Sequence, residues 1–203
     1  MRKIIVLTFV SLDGVMQAPG GPEEDPSGGF RNGGWALPYF DEFLGREMMN
    51  QMSRPFEALL GRKTYDIFAS YWPHPLPEDE PLARILNPAR KYVVSKTLQN
   101  PGWENTVVIN GDVVSEIKRL KTMDGPDLQV SGSSNLIQTL LKNNLIDEFW
   151  LKIFPLTLGH GKRLFGEGTL PAAYTLQKCA ASPKGVIIAS YVRDGDLKTG
   201  SFV

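Results

Sequence analysis

Short apolar segments of strand length alternate with helix-length segments as far as residue 154, and beyond it strand follows strand. That order leaves few architectures: a mostly parallel α/β sheet flanked by helices and finished by an antiparallel hairpin. The strand segments are Ile4–Val10, Phe56–Leu60 (ended by Gly61), Lys91–Ser95, Thr106–Ile109, Leu128–Val130 and Asp147–Phe154 (ended by Pro155). Tyr174–Cys179 and Val186–Val192, parted by the turn-like Ser182-Pro183-Lys184-Gly185, form the hairpin. Among the helices, Tyr39–Met52 lines up Phe40, Phe43, Leu44, Met48, Met49 and Met52 on one face. Lys63–Tyr71 is stopped by Pro73, Val113–Leu120 is capped by Asp112, and Asn135–Lys142 follows the turn Ser131–Ser134. Neither a repeat nor a domain linker interrupts residues 1–203, so one domain is expected.

Two stretches break the pattern. Gly14–Pro38 holds 7 glycines and 4 prolines in 25 residues, together with Phe30, Arg31, Trp35, Glu23, Glu24 and Asp25. A loop this long is either a functional lid or a solvated insertion. The segment from Pro73 to Pro88 holds five prolines and is expected to be an irregular connection.

Composition excludes several kinds of chemistry. The 22 Lys and Arg balance the 22 Asp and Glu, with no basic block to attract nucleic acid or an acidic membrane. Cys179 is the one cysteine, which rules out an internal disulfide framework and suits a reducing cytoplasm. His74 and His160 are the only histidines, so a Cys/His zinc site has too few ligands and no metal is expected. Arg2-Lys3 before an apolar run resembles a signal peptide, but charged Asp13 follows without a cleavage pattern, and the run reads as a buried strand. No apolar run approaches transmembrane length.

P-loop, GxGxxG and Gly-x-Ser-x-Gly patterns are absent. What recurs is a strand ending in small and basic residues: Leu60-Gly61-Arg62-Lys63-Thr64, then Val94-Ser95-Lys96-Thr97, then Val130-Ser131-Gly132-Ser133-Ser134-Asn135. In a parallel sheet such turns share the carboxyl edge, where α/β proteins bind ligands. The first and third open helices, whose free N–H groups and positive dipole end favour phosphate. Two phosphate cradles and a separate basic turn suit a phosphorylated dinucleotide.

The same residues resemble the NADPH-binding series of the dihydrofolate reductase superfamily, and most closely the reductase (C-terminal) domain of bacterial riboflavin biosynthesis, RibD. The resemblance is densest from Val130 to Phe165, through Ser131-Gly132, Leu136, Leu140-Leu141, Leu145-Ile146-Asp147-Glu148, Pro155, Gly159-His160-Gly161 and Leu164-Phe165; Ser11-Leu12-Asp13-Gly14 also matches. It implies a dihydrofolate-reductase-like fold, a homodimer, and hydride transfer from NADPH to a small pyrimidine, pteridine or related carbonyl substrate. It further implies that Gly61, Arg62, Lys63 and Thr64 hold cofactor phosphates, that Ser95 and Lys96 meet the adenosine ribose and its 2′-phosphate, and that Ser131, Gly132, Ser133, Ser134 and Asn135 meet the pyrophosphate. Val10 and Met16 would flank the nicotinamide. The chain departs from the family in having Ser131-Gly132 where Gly-Gly is usual.

Trp35-Ala36-Leu37-Pro38-Tyr39-Phe40-Asp41 resembles the segment that supplies the pterin-binding acid, with one residue extra. Trp35 is accordingly a candidate substrate contact and Asp41 a candidate proton relay. Asp13 is either a substrate contact or part of a strand-ending turn. Two other readings stand beside reduction: a catalytically silent nucleotide-binding or regulatory protein on the same fold, and a hydrolase using Ser131 or Ser133.

Overall fold

The computed structural model describes residues 1–202, and its centre is one eight-stranded sheet. The strands are β1 (Ile4–Ser11), β2 (Phe56–Gly61), β3 (Lys91–Val94), β4 (Thr106–Ile109), β5 (Asp127–Ser131), β6 (Glu148–Phe154), β7 (Tyr174–Ala181) and β8 (Ile187–Arg193). They lie in the order β4-β3-β2-β5-β1-β6-β8-β7. All pairs from β4 to β6 are parallel, and β8 and β7 close the sheet with antiparallel pairs. This is the architecture that the alternation of segments implies.

Five α-helices pack on it: α1 (Glu42–Met52), α2 (Arg62–Tyr71), α3 (Glu80–Leu86), α4 (Val113–Thr122) and α5 (Ser134–Lys142). Right-handed crossovers put helices that lead toward β4 on one face and those that lead toward β6 on the other. Packing agrees. Ile117 and Leu120 of α4 join Leu136, Ile137, Leu140 and Leu141 of α5 in one cluster with Ile4, Val6, Leu128 and Val130. Leu44 of α1, and Tyr65 of α2 with Leu86 of α3, belong to two other clusters.

The chain therefore leaves β1 in one direction and β5 in the other, so the strand order reverses between these two neighbours. There β1 pairs with β5 only from Ile4 to Leu7, but with β6 from Ile5 to Ser11. The end of β1 runs on past β5, and by topology such a reversal leaves a crevice at the carboxyl edge, the usual ligand position in open α/β sheets.

Two expectations need correction. The proline-rich segment from Pro73 to Pro88 contains α3, preceded by a 3-10 turn at Pro77–Asp79. Prolines lie in the first turn of both, where no backbone donor is lost, and Ala83 and Leu86 are buried. The helix expected from Tyr39 begins instead at Glu42, because Leu37–Tyr39 forms a separate 3-10 turn and Asp41 is the cap.

The long loop is anchored in the fold at both ends and at Phe30, while most of residues 20–32 face solvent. Val15, Ala18, Phe30, Trp35 and Ala36 are buried with Leu44 and Phe154. The Trp35 indole N–H donates to Gln17 O at 2.7 Å, and Gln17 Nε2 donates to Asp25 O and Ser27 O at 2.8 and 2.9 Å. Gln17 Oε1 accepts the Lys162 N–H at 2.9 Å, so one buried amide ties the loop both to itself and to the segment after β6.

Candidate functional site at the strand ends

Because β3, β2 and β5 are adjacent and parallel, the three turns singled out in the sequence meet. The Gly61 N–H donates to Ser133 Oγ at 2.9 Å, joining the turn after β2 to the turn after β5. A Cβ placed on Gly132 would lie 3.7 Å from Thr64 Oγ1, so the Thr64 side chain packs close to the Gly132 backbone. Arg62 Nη1 donates to Thr97 Oγ1 at 3.2 Å and brings in the turn after β3.

The helix starts at this edge differ in their caps. Asp41 caps α1 through the Leu44 N–H at 2.8 Å, and Asp112 caps α4 through Val114 and Ser115 at 3.1 and 3.2 Å. Each of these helices also carries an acid in its first turn. By contrast, α2 and α5 have neither a side-chain cap nor a first-turn acid. The N-cap of α2 is Gly61, which has no side chain to offer. The N-cap of α5 is Ser133, held left-handed at φ 65°, and its hydroxyl accepts the Gly61 N–H. Two helix starts thus lie beside each other with no side-chain cap and no first-turn acid of their own, an arrangement that fits phosphate oxygens.

The serine where the family usually has the first glycine fits this geometry. Ser131 is the last residue of β5, in register with Leu7, and the positive φ falls on Gly132 (62°) and Ser133. The side chain at 131 therefore meets no conformational demand for glycine.

The basic residues are deployed unequally. Arg62 Nε donates to both carboxylate oxygens of Asp66 at 2.8 Å. Lys63 Nζ donates to Asp25, in the long loop, while Lys96 is exposed on its turn. Ser95 is buried, and its Oγ accepts the N–H groups of Thr97 and Leu98 at 3.2 and 3.1 Å. It shapes the turn beneath Lys96 rather than facing outward to a ribose. Val10 and Met16 have their side chains in the main core rather than at the surface of this edge. Ser134 and Asn135 reach further. With Gln138, Lys142, Lys162 and Arg163 they line a groove of about 260 Å³ leading away from the start of α5.

Three candidate chemical residues turn out to hold structure. The Asp13 carboxylate accepts from Ser11 Oγ at 2.6 Å and from the N–H groups of Leu158 and Gly159 at 3.1 and 2.7 Å. The Ser11 bond leads in bringing its pKa down to about 2, burial works against it, and the two backbone donors add to the fall. It is a fixed anion that pins the loop after β6, consistent with the strand-ending-turn reading. Asp41 is likewise held below the ordinary carboxylate value, first by the Leu44 N–H, and its other oxygen accepts the Lys184 N–H at 3.3 Å. Trp35 is buried edge-on against Phe154, ring centroids 5.2 Å apart. In each case the residue type that suits chemistry is also the type that caps a helix, closes a turn or fills a core. An Asp41→Ala protein is expected to lose the α1 cap and melt a few degrees lower, with turnover and KM near those of the parent. A collapse of turnover in a folded variant would restore Asp41 as a proton relay.

Sequence reasoning missed Asp25 and Lys162 as members of this edge. The only hint was the acidic run Glu23-Glu24-Asp25 inside a loop otherwise read by its glycines.

A parallel sheet with its order reversed beside β1, covered on both faces and closed by an antiparallel hairpin, is the dihydrofolate-reductase-like fold. The RibD C-terminal domain family matches residues 2–188, and the chain belongs to that family. It is 33% identical over 171 residues to the uncharacterized protein YyaP of Bacillus subtilis (strain 168), covering 81% of this chain and 80% of YyaP. Among solved structures it resembles a Shewanella sp. PV-4 protein named for riboflavin biosynthesis, with a TM-score of 0.67 and 23% identity over 95% of this chain and 99% of that one. It also resembles Enterococcus faecalis dihydrofolate reductase complexed with NADP(H), with a TM-score of 0.58 and 13% identity over 95% of this chain and 96% of that one.

Proposed function

We propose that the protein is an NADPH-dependent reductase that transfers a hydride to a small pyrimidine- or pteridine-type heterocycle, in the manner of a 5-amino-6-(5-phosphoribosylamino)uracil reductase. The observation that carries this reading is the pair of uncapped helix starts, α2 and α5, joined through Gly61 and Ser133 beside the crevice at the end of β1. Membership of the RibD C-terminal domain family and the likeness to a reductase complexed with NADP(H) support the same cofactor.

The residues fit such a dinucleotide. The N–H groups opening α2 and α5, with Thr64, Ser134 and Asn135, would hold the phosphates, and Lys96 would meet a 2′-phosphate. When bound, NADPH supplies the hydride; the protein's part is to align donor and acceptor and exclude water. The part of β1 beyond Leu7, unpaired with β5, would line the crevice, and the loop 14–38, anchored through Val15, Phe30 and Trp35, would border it.

The direct test is acceptor-dependent loss of nicotinamide absorbance across a panel of pyrimidines and pteridines, followed by mass analysis of product made with deuterated NADPH. Deuterium in the product is expected. Tight NADPH binding with no oxidation by any acceptor would instead favour a silent nucleotide-binding protein.

A further inference from the structure

Asp25 is a charged residue, only 9% exposed, in the middle of the long loop. One carboxylate oxygen accepts from Lys63 Nζ, the second residue of α2, and also from Ser27 Oγ at 2.5 Å. The other accepts from Lys162 Nζ at 2.6 Å. Burial alone would raise its pKa, but the bonds from Lys162, Lys63 and Ser27 outweigh burial and hold it well below the usual carboxylate range. Its carboxylate is thus held against the Lys63 ammonium of α2, a helix that carries no acid of its own in its first turn.

Its two lysines belong to different parts of the chain. Lys162 follows β6 in the segment that Gln17 and Asp13 already fasten to the loop, whereas Lys63 belongs to the turn read above as a phosphate cradle. Lys63 is also the more exposed partner, its side chain 53% accessible against 34% for Lys162. Lys63 therefore offers more of its side chain to an anion at the α2 turn, while Lys162 lines the groove beside α5.

We propose that Asp25 is a resident counter-ion that sets the strength of anion binding at α2: an incoming phosphate takes Lys63 from it, and the loop loses its tie to α2. The inference rests on the reading of the α2 turn as a phosphate site. Linkage then requires reciprocity. Whatever weakens the Asp25–Lys63 tie strengthens phosphate binding, and phosphate binding loosens the loop.

The test compares the parent, Asp25→Asn, Lys63→Met and the double variant, titrated calorimetrically with NADPH and with inorganic pyrophosphate. Asp25→Asn is expected to bind both about 5- to 50-fold more tightly, an effect that vanishes in the Lys63→Met background. In the unmutated protein, hydrogen exchange of residues 20–34 should rise when pyrophosphate is added, a readout that needs no variant. Unchanged or weaker pyrophosphate binding by folded Asp25→Asn, or loop exchange that does not respond, would overturn the proposal. If NADPH fails to bind while pyrophosphate behaves as described, the dinucleotide reading falls and the counter-ion role stands. If NADPH binds the parent and Asp25→Asn equally, the counter-ion role falls and the dinucleotide reading stands.

Discussion

Replacing Lys152 with methionine is expected to stabilise the protein by about 2 kcal/mol at neutral pH and to flatten its stability above neutrality. Lys152 lies in β6 beside Phe9, is 2% exposed, and donates to Gln51 Oε1 of α1. Burial pulls its pKa down from 10.5 to about 7, with the charge of Glu47 offsetting only part of the effect. The folded pKa lies below the unfolded one, so between these values the unfolded chain binds more protons and stability rises with pH. The penalty of the buried amine is full below about pH 7 and fades as the pH approaches 10.5. A shift of this size corresponds to several kcal/mol, from which the unpaired Gln51 left by methionine subtracts about 1–3. Urea unfolding of both proteins from pH 7 to about pH 10 should show the gap closing. A gap that does not change with pH would mean that Lys152 is charged, and solvated, in the folded protein.

Gly161→Ala is expected to cost about 3 kcal/mol, against about 1 kcal/mol for Gly159→Ala two residues earlier. Gly161 has φ +134°, and a Cβ there would lie 2.7 Å from Val15 Cγ1 and 3.0 Å from Phe30 Cε2. Both neighbours are buried at the base of the long loop and cannot swing aside. Gly159 has φ +72° and open space around its Cβ position, so only its backbone resists. Denaturant midpoints of the two variants separate these costs. Equal losses would show that the loop does not press on residue 161, contrary to its anchoring through Val15 and Phe30.

Much of this molecule could be read before its structure, for identifiable reasons. Strand positions follow from apolar runs closed by glycine, proline or serine, and parallel order follows from the helices between them. Once β2, β3 and β5 are parallel neighbours, Gly61, Ser95 and Gly132 must gather at one edge. Residues that report only through distant partners stayed illegible. Gln17 meets Lys162, 145 positions away in sequence, and Asp25 meets Lys63, 38 away; no local pattern encodes either contact. Helix α3 was hidden because prolines usually mark irregular chain, while at helix starts they are compatible with α-structure. Asp13, Asp41 and Trp35 attracted chemical roles because capping and catalysis draw on the same side chains.

On the proposed function, the joined starts of α2 and α5, with Lys96 beside them, form a site for NADPH. Trp35, Trp72, Trp103 and Trp150 provide the signal for a fluorescence titration with NADPH and NADH in parallel. NADPH is expected to bind more tightly than NADH, with a preference that falls about 10- to 100-fold in Lys96→Ala, the range for removing one charge-assisted phosphate contact. Failure of both nucleotides to bind at micromolar concentration would contradict that reading, leaving a reductase fold whose strand-end turns serve some other anion or none.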